Sequence, residues 1–239
     1  MPNSNSNILI IGHKGASKTE PENSLRAFKR AIELEADYIE LDVQFSKDKE
    51  IVVFHDYDIT RITGFEGHIK EMTVKELKQY DIGEGESIPT LKEVISLTKG
   101  KIGLQIELKE VGTGKVVIEM LKDANLIDSA IISSFIHNEL SEVNKIEPRI
   151  RLGALISDRV SVPSDLKKAT KRVIKKKLFA IHPHYKGVDG DLVDYAHNNN
   201  LKVNVWTVND KDDVQRMIEI GVDGIISDDI PLLKSLLGR

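Results

Sequence analysis

Short runs of apolar, β-branched residues alternate with amphipathic stretches from one end of this chain to the other. The strand-like runs fall at 8–12, 37–43, 102–108, 130–134, 151–156, 178–182, 201–206 and 223–227. Helical periodicity occupies the stretches near 23–35, 90–99, 113–125, 138–146, 165–177, 190–199, 210–219 and 230–237. Strands that alternate with helices in this way predict βαβ units and a parallel sheet. About eight such units in 239 residues favour an α/β fold of the closed (β/α)8 TIM-barrel type over an open doubly wound sheet. One connection breaks the rhythm. Residues 44–89 separate the second strand from its helix, and they hold an extra apolar run (Ile51 to Phe54), a short helical pattern (Thr73 to Tyr80) and a loop from Gly83 to Ser87. A connection of that length is functional or a small inserted subdomain. The expectation is one catalytic barrel domain over 1–239 with an insertion at about 44–89.

The strand period then locates candidate chemistry. Side chains alternate across a strand. In 37–43, Ile39, Leu41 and Val43 share one face, and Tyr38, Glu40 and Asp42 share the other. In 103–109, Leu104, Ile106 and Leu108 share one face, and Gln105, Glu107 and Lys109 the other. With the apolar faces turned to the outer helices, Glu40, Asp42 and Glu107 point into the barrel at the C-terminal ends of their strands, where active sites of this fold lie. Three converging carboxylates repel one another and are costly to bury unpaired. A hard divalent cation with oxygen ligands resolves that conflict, and magnesium, calcium or manganese would suit. Each carboxylate taken alone reads equally well as a lysine partner or a loop cap.

Two histidines fall at the same end. His13 follows the first strand, between Gly12 and Gly15, and His55 ends the extra run before Asp56. Histidine titrates near neutrality and serves as general acid or base. His182 and His184 also follow a strand and read as loop or supporting residues, whereas His68, His137 and His197 read as surface residues. Asn23 stands before a helical pattern and reads equally as a natural N-cap or as a residue near the site. Asp228 reads as a strand stop and a cap for the helix beginning near Pro231, ahead of a catalytic role.

Composition narrows the field. The net charge of −4, with 40% hydrophobic and 30% charged residues, gives no global attraction to nucleic acid or anionic membranes. The basic run from Lys167 to Lys177 reads as a solvated helix face. Without cysteine, disulfides and cysteine–zinc sites are excluded, and metal ligands must come from His, Asp and Glu. No run approaches the roughly 20 apolar residues of a membrane helix, and the start lacks a signal-peptide pattern. These features predict a soluble, cytoplasmic protein with a small-molecule substrate, no nucleic-acid partner and no stable membrane insertion.

Taken in order, these segments resemble the glycerophosphodiester phosphodiesterase family, among the phospholipase C-like phosphodiesterase barrels. His13-Lys-Gly15 is similar to the family's His-Arg-Gly start, and Pro21-Glu-Asn-Ser24 to its Pro-Glu-Asn-Thr/Ser segment. Glu40-Leu-Asp42, Val53-Phe-His-Asp56 and Ile106-Glu-Leu-Lys109 resemble its metal pair, its second histidine and its third metal ligand. Val205-Trp-Thr-Val-Asn209 and Gly224-Ile-Ile-Ser-Asp228 resemble its last two strand ends, so the likeness spans roughly 8–236. The resemblance implies metal-dependent hydrolysis of glycerophosphodiesters to sn-glycerol 3-phosphate and an alcohol. It implies Glu40, Asp42 and Glu107 as ligands of one divalent metal ion, and His13 and His55 as acid and base. It implies Lys109 and Lys14 at the phosphate and Trp206 at the substrate. Lys14 departs from the family's arginine, exchanging a two-pronged phosphate grip for a point charge. A lysophospholipase D-type or cyclic-phosphate-forming enzyme acting on lysolipids, or a weakly catalytic barrel that binds a phosphate metabolite, would carry the same residues.

Overall fold

The computed structural model describes residues 8–239. Its strands are β1 (Leu9–Gly12), β2 (Tyr38–Phe45), β3 (Ile51–Val53), β4 (Gly103–Leu108), β5 (Ala130–Ser134), β6 (Arg151–Ile156), β7 (Ala180–Pro183), β8 (Lys202–Val205) and β9 (Gly224–Ser227). The parallel order β1-β9-β8-β7-β6-β5-β4-β2 closes through a β1–β2 pairing, which makes an eight-stranded barrel. An outer ring is formed by α1 (Leu25–Glu33) and, after two short helices α2 (Thr60–Thr63) and α3 (Val74–Leu77), by α4 (Leu91–Thr98), α5 (Thr113–Ala124), α6 (His137–Ile146), α7 (Pro163–Lys175), α8 (Gly190–His197), α9 (Lys211–Glu219) and α10 (Ile230–Leu237).

The main hydrophobic core lies between barrel and helices. Ile39, Leu41 and Val43 of β2 and Leu104, Ile106 and Leu108 of β4 all belong to it. The alternate positions therefore face the barrel interior, as the period-2 pattern requires. Register does the rest: Asp42 pairs with Glu107 and Glu40 with Gln105, so the carboxylates of neighbouring strands stand at matching heights.

The second strand runs to Phe45, two residues past the predicted end, because β3 folds back antiparallel on it, with Val43 opposite Val53 and Phe45 opposite Ile51. The segment beyond β2 packs its own apolar cluster of Val52, Phe54, Ile59, Ile69, Leu77, Ile82 and Ile88. It carries α2 and α3, and the helical pattern at 73–80 contracts to Val74–Leu77, capped by a Thr73–Glu76 capping box.

Four residue readings are corrected. Ser24, not Asn23, caps α1, accepting a hydrogen bond from the Ala27 amide, so of the two readings of Asn23 only the cap is set aside. Asn23 adopts φ +57°, a left-handed turn that Asn tolerates better than most residues. The cap of α10 is Asp229, which accepts from the Leu232 amide at 3.0 Å, and Asp228 turns elsewhere. His182 lies within β7, wholly buried in the barrel interior rather than in a loop. There, burial depresses its pKa to about 3 and keeps it neutral. His137 is half-buried, with Nε2 at 2.9 Å from the Leu155 carbonyl oxygen, rather than a surface residue.

Candidate active site

Three carboxylates converge on the inward faces of β2 and β4. One oxygen each of Glu40, Asp42 and Glu107 lies within 4.8 Å of the others, and all three residues are buried. Lys109 places Nζ 3.1 Å from Glu107 and 3.4 Å from Asp42. The Asn23 side-chain amide donates to Asp42 at 2.9 Å, the contact its left-handed backbone makes possible. The Lys14 backbone amide donates to Glu40 at 3.1 Å. That amide is aimed by a tight turn: Lys14 has φ +52° and Gly15 φ +88°, and a Cβ on Gly15 would stand 2.7 Å from the Ala27 backbone. Glycine is the residue that fits there.

Three carboxylates against one nearby ammonium leave excess negative charge in a site shielded from water. Burial, reinforced by the charge of Asp42, pushes Glu40 up to about 8 and Glu107 up to about 7. Burial also pushes Asp42 up, but Lys109, His55, Lys14 and the Asn23 bond outweigh it and hold Asp42 low. Lys109 is lowered by burial but raised more by Asp42 and Glu107, so it stays charged. A hard, oxygen-seeking divalent cation fits this donor set, since it would supply the missing positive charge.

Both histidines are held at Nδ1 by an aspartate. His13 Nδ1 is 2.7 Å from Asp228 Oδ1, and His55 Nδ1 is 2.7 Å from Asp56 Oδ1. In each case Nε2 remains the nitrogen available for proton transfer. Asp228 is further anchored by the Ser17 hydroxyl at 2.7 Å and by the Asn209 side chain. Burial raises its pKa, but the bond from His13 prevails and brings it to about 2. His13 is lowered by burial and raised more by Asp228 and Glu40, so its imidazolium is favoured. Asp56 instead accepts Arg61 Nε at 2.6 Å; Arg61 also grips Glu22 at 2.6 Å, and Glu22 accepts Lys14 Nζ at 3.0 Å.

A cavity of about 320 Å³ gathers most of the predicted residues: His13, Glu40, Asp42, His55, Glu107 and Trp206 all line it, with Gln105, Phe135, Leu155, Asp158, Thr207 and Ile226. Trp206 is fixed by its Nε1 donating to the His182 carbonyl at 2.8 Å and by edge contacts to Phe135 and His184. An adjoining groove of about 390 Å³ shares His55, Glu107 and Phe135 and adds Tyr57 and Lys109. Lys14 lines neither, because its ammonium is turned to Glu22. Sequence reasoning missed Asp56, Arg61 and Glu22 as supports, although Asp56 directly follows His55. It had no signal for Asp228 beside His13, which lies 215 positions away.

A parallel barrel whose strand ends bring together an acidic triad, a lysine and two aspartate-held histidines defines a barrel enzyme of phosphodiester hydrolysis. The model of the glycerophosphoryl diester phosphodiesterase family matches residues 13–232, and the chain belongs to that family. A glycerophosphodiester phosphodiesterase of Caldanaerobacter subterraneus subsp. tengcongensis is 40% identical, over 97% of this chain and 98% of that one. Among solved structures, a glycerophosphodiester phosphodiesterase from Thermotoga maritima is 31% identical, with a TM-score of 0.82 over 96% of this chain and 98% of that one. A phosphodiesterase of Oleispira antarctica, in complex with the product sn-glycerol-3-phosphate, is 28% identical, with a TM-score of 0.87 over 97% of each chain.

Proposed function

We propose that this protein hydrolyses glycerophosphodiesters to sn-glycerol 3-phosphate and an alcohol, using one divalent cation, magnesium or calcium before manganese, held by Glu40, Asp42 and Glu107. The observation that carries the reading is the meeting of a buried acidic triad with two aspartate-held histidines in one cavity. The product seen in the Oleispira neighbour supports the same substrate class here.

The cation, when bound, supplies charge stabilisation at a non-bridging phosphoryl oxygen. Lys109 adds fixed positive charge beside Asp42 and Glu107, where it is already aimed and needs no reorganisation. One histidine takes the proton from the attacking hydroxyl, either the neighbouring glycerol hydroxyl or water. The other gives a proton to the leaving alcohol oxygen. Asp228 and Asp56 fix the ring orientation and tautomer by holding Nδ1, so that Nε2 does the transfer. Trp206 and Phe135 wall the substrate. Lys14 acts through its backbone amide on Glu40 and adds its charge from behind Glu22.

The test is release of glycerol 3-phosphate from glycerophosphoethanolamine and glycerophosphocholine. Wild type should turn over at least one, and His13→Ala and His55→Ala should each lose about 10²–10⁴-fold. Folded wild-type protein inert on both would overturn the reading.

A further inference from the structure

Gln105 is a polar side chain at the catalytic cavity that the mechanism does not use. It stands on β4 two residues before Glu107, beside Glu40 in the sheet register. It is wholly buried and lines the cavity together with His13, Glu40 and Asp42. Neither its Oε1 nor its Nε2 finds a hydrogen-bond partner among the described residues. A buried carboxamide with both ends unmet is costly, whereas an apolar side chain of the same length would fill the space without that cost.

Three other interior polar atoms are also unpaired among the described residues: Ser133 Oγ, His182 Nδ1 and Asn204 Oδ1. They differ from Gln105 in not lining the cavity. His182 and Asn204 contact each other at 3.2 Å and press on glycines of the barrel wall. A Cβ on Gly153 would stand 2.5 Å from the His182 ring, and one on Gly224 2.6 Å from the Asn204 oxygen. Those two side chains fill the barrel, whereas Gln105, with its amide covered, forms part of the floor of the cavity.

A carboxamide presents one donor group and one acceptor, and the ligand group that matches both together is a hydroxyl, which donates and accepts. A phosphoryl oxygen only accepts and would leave Oε1 unmet. We propose that Gln105 is a specificity-determining residue that binds a hydroxyl of the substrate's glycerol moiety, with Nε2 donating and Oε1 accepting. The assignment rests on the glycerophosphodiester reading above. It adds the residue that distinguishes a polyol ester from an alkyl ester of the same size. A site built around a hydroxyl rejects the analogue that lacks it, because its own buried polar atoms are then left unpaired.

The test is calorimetric binding of sn-glycerol 3-phosphate and of n-propyl phosphate, which keeps the carbon chain and lacks both hydroxyls, to magnesium-supplemented protein. Wild type should prefer glycerol 3-phosphate by about 10–100-fold. Gln105→Met should cut that preference by about tenfold, leave propyl phosphate binding unchanged and not lower the melting temperature, since it removes unpaired buried atoms. Gln105→Asn, which withdraws the amide by one methylene, should show the same loss of discrimination, and it carries the comparison if the methionine variant does not fold. A preference unchanged in both variants overturns the proposal, as does equal weakening of both ligands, which would mark a structural role. Failure of the phosphodiesterase reading is distinguishable: wild type would then bind neither phosphate and release none from glycerophosphoethanolamine.

Discussion

His13 and His55 share a design at Nδ1 but differ in what surrounds the partner. Asp56 is itself neutralised by Arg61, whereas Asp228 is held by the neutral donors Ser17 and Asn209. The charge of Asp228 is therefore left to act on His13, and it is a main reason that the imidazolium there is favoured. Asp228→Asn removes that charge while keeping the shape. The raised pKa of His13 should fall, so the pH at which the ring loses its proton moves down. An NMR titration of His13 reads this directly, and kcat/KM should drop by about 10²-fold. An unmoved titration would remove Asp228 from this role. The residues found by strand period, Glu40, Asp42 and Glu107, were readable because alternation and apolar neighbours fix their phase locally. Asp228 was not, because its neighbour His13 arrives only when β9 closes against β1.

The elements were placed from periodicity to within a few residues at most ends, and their departures have local causes. The entry to α1 is the clearest. Asn and Ser are both good caps, and the chain uses Ser24 for capping and Asn23 for its left-handed turn and its bond to Asp42. Capping propensity alone cannot separate two such neighbours. Asn23→Ala should cost about 3 kcal/mol, combining the left-handed strain with loss of a bond to a charged acceptor. Asn23→Gly tolerates the turn and should cost about 1 kcal/mol less, while Ser24→Ala should cost about 1 kcal/mol. Denaturant melts of the three rank them; equal losses for Asn23→Ala and Asn23→Gly would show that the backbone angle is not under strain. The long connection after β2 announced itself by its length, but α2, with the Arg61 that ties Asp56 to Glu22, has no hydrophobic period to reveal it.

At the scale of the molecule, closing the barrel turns the apolar faces outward to the helices and leaves the interior for charge. The fold thereby gathers carboxyl groups that its own cations do not balance, and in the metal-free protein they take up protons instead. Glu40 and Glu107 are raised to about 8 and about 7 in the metal-free protein, above their ordinary value of 4.5. Between those limits the folded state binds more protons than the unfolded state, so metal-free stability falls as pH rises through that window. The loss should be on the order of a few kcal/mol between pH 5 and pH 8. A bound divalent cation holds both groups ionised, so its stabilisation should grow over the same range. Thermal melts with EDTA and with magnesium, at pH 6 and pH 8, should diverge more at pH 8. No helix among the described residues is long and apolar enough to cross a membrane.

In the proposed reaction the acidic triad of Glu40, Asp42 and Glu107 holds the cation on which glycerophosphodiester hydrolysis depends. The most direct test of that dependence is glycerol 3-phosphate release by one preparation before chelation, after EDTA and after magnesium or calcium is restored, beside Glu40→Ala. Activity should be abolished by EDTA, recover with the metal and not be recoverable in Glu40→Ala. Turnover that survives complete chelation, or full activity in Glu40→Ala, would contradict it.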